Sequence, residues 1–215
     1  NILKAILFIL PTNFAEAAIP MAAVALDLPE LPMLPVHILW VNMVTAVTLA
    51  ISLAFESPEE AVMKRPPRSP DEPILTPFLL WRIAFVGIFM TIACLYLFEQ
   101  LRGKLLTIEA ARTTTTNLLV MGETFYLLNA RQLTAFALHP KYLWANPYSW
   151  LSIGVLLMLQ IAFTYASPLQ ALLSTAPISF KEWGEILLWG FILFCIVEVE
   201  KYFWRNLIVA NLIKS

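Results

Sequence analysis

Six apolar runs, each close to the ~20 residues that a helix needs to cross a bilayer, are separated by connections crowded with proline. The runs lie at about Ile2–Leu26, Val36–Phe55, Phe78–Phe98, Thr114–Leu138, Trp150–Ala166 and Glu182–Phe203. Proline cannot donate to a helix ladder, so Pro29, Pro32 and Pro35, and the cluster from Pro58 to Pro77, mark where spans end. The expected fold is all-α: a polytopic transmembrane bundle of about six helices. Three regions follow: 1–56 with the first two helices, 57–77 as a basic Pro-rich loop, and 78–215 as a four-helix membrane region.

Composition agrees. The chain is 60% hydrophobic and 13% charged, where globular domains carry about 25% charged residues. A formal net charge of −1 gives no sign of a nucleic-acid partner. Cys94 and Cys195 each stand alone in an apolar run, which predicts buried structural thiols. The start at Asn1-Ile2-Leu3-Lys4 has neither an initiator Met nor a signal-peptide pattern, so a piece of a longer chain is expected.

Lys and Arg set the expected orientation. Lys4, Lys64, Arg65, Arg68, Arg82, Arg131, Lys141, Lys201, Arg205 and Lys214 fall on one side, and Arg102, Lys104, Arg112 and Lys181 on the other. The first side is expected to be cytoplasmic, with both termini there; Glu99 and Glu109 offset the basic residues of the opposite loop. Trp40, Trp81, Trp144, Trp150, Trp183 and Trp204 fall near span ends or in connections and fit an interfacial aromatic belt.

Polar groups interrupt three spans near mid-depth, where an ionisable side chain costs roughly 2.5–3.5 kcal/mol even on the lenient insertion scale. Asn13 and Glu16 lie one helical turn apart on the first span. Pro11 and Pro20 free the carbonyls of Leu7 and Glu16, which membrane depth tolerates only where they meet a polar partner or line a cavity. Asn42 and Thr45, spaced i and i+3, lie on the second span, with Thr48 and Ser52 continuing the stripe. Glu123 lies on the fourth, with Thr116 and Asn117 before it and Asn129 after; Gln160 on the fifth is a weaker candidate. Side-chain oxygens with freed carbonyls are what a hard cation needs in place of its water shell. Plain interhelical hydrogen bonding accounts equally well for Asn42 and Thr45 alone, and better for Thr48, Ser52 and Asn129. Glu198 and Glu200 fit interfacial pairing with Lys201. No basic residue stands near mid-depth to pair Glu16 and Glu123, so each needs a proton or a bound cation. That requirement suits a pump or an exchanger.

Leu34-Pro35-Val36-His37-Ile38-Leu39-Trp40-Val41-Asn42-Met43-Val44-Thr45 resembles the sixth membrane helix of P-type cation-transporting ATPases. Met63-Lys64-Arg65-Pro66-Pro67-Arg68-Ser69-Pro70, then Glu72-Pro73-Ile74-Leu75, resembles the loop that follows it in calcium-pump-like members. Asn1 through Glu16, with its Asn-x-x-Glu, resembles their fifth helix. The likeness covers most of the chain as helices five to ten of ten, the last two mostly by hydropathy. It implies Asn13, Glu16, Asn42, Thr45 and Glu123 as ligands of a transported cation, Ca2+ or Na+. The sarcoplasmic-reticulum calcium pump has an Asp directly after the threonine of the sixth helix. Ala46 stands there here, which argues for a single ion or a monovalent one. The phosphorylation motif and nucleotide-binding domain are missing, so the chain alone is not expected to hydrolyse ATP. ATP and Mg2+ would act in cytoplasmic domains beyond it, and its partners would be the bilayer and the rest of the pump. Lys64–Arg68 would dock on the phosphorylation domain. A stand-alone proton-coupled secondary transporter, or a membrane scaffold, is the alternative.

Overall fold

The computed structural model describes residues 2–56, 76–104, 107–132, 136–140 and 144–214, with side chains in the last helix through Trp204. The basic loop Lys64–Arg68, Lys141, and the side chains of Arg205 and Lys214 lie outside the described residues. Among those described, the chain is helical throughout: α1 (Ile2–Ala25), α2 (Pro35–Thr45), a π-helical turn (Ala46–Ala50), α3 (Ile51–Ala54), α4 (Pro77–Arg102), α5 (Ile108–Ala130), α6 (Pro147–Tyr165), α7 (Ser167–Leu173) and α8 (Phe180–Lys214).

The helix ends follow from local chemistry. After α1, Asp27 takes a left-handed conformation (φ 52°). The Leu28 N–H reaches back to the Ala23 carbonyl at 3.0 Å, and the Asp27 N–H to Val24 at 3.1 Å, which is a Schellman stop. Thr76, Thr107 and Asn146 cap α4, α5 and α6 by accepting backbone N–H bonds at 3.3, 3.2 and 3.0 Å. Pro77 and Pro147 follow two of these caps at the first helical position, where the missing N–H costs nothing. At the head of α8, Glu182 accepts from the Ser179 N–H at 2.7 Å and the Ser179 hydroxyl at 2.5 Å.

Helix α5 is the centre of the bundle. It touches α1, α2, α4, α6 and α8, and eighteen of its residues are buried. That enclosure explains a run that would be poor in lipid, Thr113-Thr114-Thr115-Thr116-Asn117, every residue of it fully buried. Each threonine hydroxyl donates to the carbonyl four residues back, at 2.7–2.9 Å, so the four threonine hydroxyls find acceptors within their own helix. Asn117 donates to the Thr164 hydroxyl on α6 at 2.9 Å. Thr116 and Asn117, read beside Glu123 in the sequence, therefore serve the helix and its packing.

Leu3–Ala25, Pro35–Ala54, Pro77–Arg102 and Pro147–Tyr165 are long and apolar enough to cross a membrane on their own account. Helices α5 and α8 fall outside that group: α5 is too polar, and α8 carries Glu182, Glu185, Glu198, Glu200 and Lys201 along its apolar stretch. They correspond to the fourth and sixth expected spans, and burial replaces apolarity: α5 is shielded by its neighbours, and α8 turns its charges inward. At 23 residues, α5 still reaches across a core of about 30 Å. It begins some six residues earlier than its hydropathy suggested, because Thr107 caps it.

Two expectations change. Trp40 is no belt residue; it is 9% exposed, stacks on Phe163 at 5.6 Å and points its indole N–H at Gln160 Oε1, 3.4 Å away. Trp81 and Trp144 are half or more exposed, as a belt requires. Glu200 pairs across the bundle with Arg82 at 2.5 Å, and only Glu198 takes Lys201, at 2.8 Å; Glu200, Arg82 and Lys201 are all buried. The loop between α4 and α5 balances its charge as expected in part: Arg102 pairs with Glu99 at 3.2 Å, and also with Glu30 at 3.5 Å. Cys94 is buried and Cys195 half-buried, both as free thiols.

Helices α1 and α4 run together along much of their length. A Cβ added at Gly87 on α4 would overlap the Phe14 ring of α1, and one at Gly190 on α8 would overlap Phe125. Gly87→Val is expected to cost about 1–3 kcal/mol through overpacking, read as a lower thermal midpoint in detergent; an unchanged midpoint would mean the helices do not meet there.

Candidate cation site

The two mid-depth glutamates come from different helices and face one another. Glu16 on α1 is 4% exposed and Glu123 on α5 is fully buried, and each carboxyl is the other's polar neighbour. Asn42 on α2 closes the group, its Nδ2 donating both to Glu16 Oε2 and to the Ile38 carbonyl at 3.2 Å. Thr45, one turn on, lies beside Glu123 and donates its hydroxyl to the Val41 carbonyl at 3.0 Å. Its oxygen therefore presents lone pairs to the cluster.

Neither oxygen of Glu123 makes a hydrogen bond among the described residues. Buried carboxyls are otherwise paired or hydrogen-bonded, as Glu56 and Glu200 are here. The π-helical turn starts directly after Thr45; such turns widen a helix and recur at functional sites. Helix α2 is also anchored at its far end. His37 accepts from the Leu34 N–H through Nδ1, at 3.3 Å. A carbonyl can only accept, so Nε2 is the protonated nitrogen and donates to Leu173 O at 2.7 Å. No periodicity in the sequence marked His37 as an anchor.

Of the five residues singled out, four gather: Glu16, Asn42, Thr45 and Glu123. Asn13 lies at the rim, exposed like Asn42, with Ala17 and Ala46 also open on that side. Thr48 and Ser52 spend their hydroxyls on Val44 and Leu49 carbonyls at 2.6 and 2.7 Å. Asn129 reaches away to the Phe194 carbonyl at 3.3 Å, and Gln160 faces Trp40. The sequence missed a further buried carboxylate, Glu56, gripped by Arg131 and Asn146. Those partners lie 75 and 90 residues away in the chain, so only tertiary contact could reveal them.

The family described as "Cation transporting ATPase, C-terminus" matches residues 30–203. A "Probable cation-transporting ATPase F" of Mycobacterium tuberculosis is 38% identical over 186 residues, covering 86% of this chain and 20% of the relative. "Cation-transporting ATPase pma1" of Synechocystis is 34% identical over 193 residues, 87% of this chain and 21% of the relative. "Calcium-transporting ATPase" of Bacillus subtilis is 30% identical over 189 residues, again 87% and 21%. The chain thus spans about a fifth of the length of these relatives. Neither family nor relatives support the stand-alone transporter or scaffold. With its apolar helices and its buried carboxylates at mid-depth, this chain belongs to the C-terminal transmembrane region of the P-type cation-transporting ATPases.

Proposed function

We propose that the chain carries the cation-binding and translocation site of an ATP-driven pump, with Glu16, Glu123, Asn42 and Thr45 as ligands and Asn13 joining from the open rim. The observation that carries this reading is the facing pair of buried carboxyls, Glu123 unbonded, with no basic residue in the cluster. Two carboxylates balance one Ca2+, and the neutral oxygens of Asn42 and Thr45 complete an all-oxygen set of the kind Ca2+ or Na+ prefers. The Asn42 N–H2 is engaged on Glu16 and Ile38, so its carbonyl oxygen is the atom left for the ion. With Ala46 in place of an acid, the site is built for one ion. Release would follow when the carboxyls exchange the cation for protons, driven by phosphorylation in cytoplasmic domains that use ATP and Mg2+.

Asn13 and Asn42, exposed at membrane depth, need a polar cover, since lipid offers none. Remaining helices of the same pump supply it in this reading. Six crossings put both termini on one face, and the basic residues make that face cytoplasmic.

The test is ATP-driven uptake of Ca2+ and of Na+ into vesicles holding the full-length protein, with wild type and Ala46→Asp compared. Ala46 lies on the open face one turn from Asn42, so a new carboxylate there adds charge to the site. Uptake of one of the two ions is expected in wild type, and Ala46→Asp is expected to shift preference toward Ca2+ by about tenfold. Transport of neither ion, or an unmoved preference, counts against the assignment.

A further inference from the structure

Pro11 has no N–H, so the Leu7 carbonyl, four residues earlier in α1, has no donor within its own helix. In the structure that carbonyl accepts a hydrogen bond from another helix: the Tyr126 hydroxyl of α5 donates to Leu7 O at 2.7 Å. Tyr126 is fully buried, and its ring stacks on Phe8 at 6.2 Å with the planes 19° apart. Tyr126 stands one turn beyond Glu123 on α5, and Leu7 precedes Glu16 by nine residues on α1. The bond thus ties together the two helices that carry the facing carboxyls.

We propose that Tyr126 is a positioning residue for the cation site. By capping the carbonyl that Pro11 frees, it fixes the register of α1 against α5, and with it the spacing of Glu16 and Glu123. An unpartnered carbonyl in a buried membrane helix is expensive, so the helices settle where the hydroxyl reaches it. Sliding α1 by one residue moves it about 1.5 Å and turns it through about 100°, which points the Leu7 carbonyl away from the Tyr126 hydroxyl. The same slide carries Glu16 past Glu123. Ring packing on Phe8 alone would not need the hydroxyl. The inference rests on the cation-site reading above.

The test is a double-mutant cycle in the full-length protein, Tyr126→Phe with and without Pro11→Ala, read as apparent cation affinity, maximal turnover and thermal midpoint. Phe keeps the ring, and Ala at position 11 restores an N–H for the Leu7 carbonyl. Tyr126→Phe is expected to weaken cation affinity about fivefold beside Pro11, with turnover at saturating cation nearly unchanged. Beside Pro11→Ala the loss is expected to fall below about twofold, because the carbonyl then has a helical donor. Equal losses in both backgrounds, or no loss beside Pro11, would overturn the proposal. A cycle that couples in the thermal midpoint but not in affinity also overturns it, since the bond would then hold the fold without setting the site. Glu16→Gln run alongside separates the two ideas: if it leaves affinity unchanged, the site reading itself has failed.

Discussion

Glu123→Gln is expected to stabilise the protein and at the same time remove most of its cation affinity. Glu123 is fully buried and neither carboxyl oxygen is bonded among the described residues, while the Glu16 carboxyl lies beside it. An amide in the same volume donates a hydrogen bond to Glu16 and removes the opposition of like groups. A gain of about 1–3 kcal/mol follows, the usual size of a relieved buried polar group. The loss in affinity is about two orders of magnitude, because half of the charge that would hold a cation is gone. Opposite signs for stability and binding mark a group kept for function. A purely structural Glu123 would lose stability on the same change, and thermal unfolding beside a cation titration separates the two.

Arg131→Ala is expected to be the most destabilising single change among the described side chains. Arg131 forks onto Glu56, Nε to Oε2 at 3.0 Å and Nη2 to Oε1 at 3.3 Å, with both side chains 2–3% exposed. Asn146 adds Nδ2 bonds of 3.1 Å to Glu56 Oε2 and to the Ser52 carbonyl. Three segments meet there: the end of α3, the end of α5 and the start of α6. Removing the guanidinium takes the countercharge from a buried carboxylate, which costs about 3–5 kcal/mol. Replacing both partners, Glu56→Leu with Arg131→Leu, should recover most of that, since well-packed apolar pairs often equal buried ion pairs. Thermal unfolding of the two singles and the double decides it. A double variant as weak as Arg131→Ala would mean that shape rather than stranded charge sets the cost.

What the sequence made legible was backbone arithmetic and the expense of charge in lipid. Apolar run length gave the helices, and Pro35 and Pro77 stand at the starts of α2 and α4. Helix α5, by contrast, ends at Ala130, short of the expected Leu138 and without a proline. Pro11 announced a free carbonyl at Leu7, which Tyr126 fills. Glu16 and Glu123 could be singled out because mid-depth carboxyls need a reason, and with Asn42 and Thr45 they do gather. Periodicity gives a face, though not the neighbour that covers it. Asn13 shares a face with Glu16 yet sits at its exposed edge, since three residues turn a helix through 300° rather than a full circle. Trp40 resembled a belt residue because it lies near a span end, but Phe163 and Gln160 draw it inward. Arg131 reads as a loop cation in the sequence, yet it lies against Glu56. Thr116, read beside Glu123 as a polar neighbour, spends its hydroxyl on the Arg112 carbonyl of its own helix.

The most direct measurement is equilibrium binding of radiolabelled Ca2+ to the full-length protein, wild type against Glu16→Gln, with Na+ as competitor. One saturable cation per protein is expected in the wild type, with affinity about two orders of magnitude weaker in the variant. Na+ binding at the same site appears as displacement of Ca2+. Equal affinity in the two proteins would contradict the account, because the Glu16 carboxylate would then hold no transported ion.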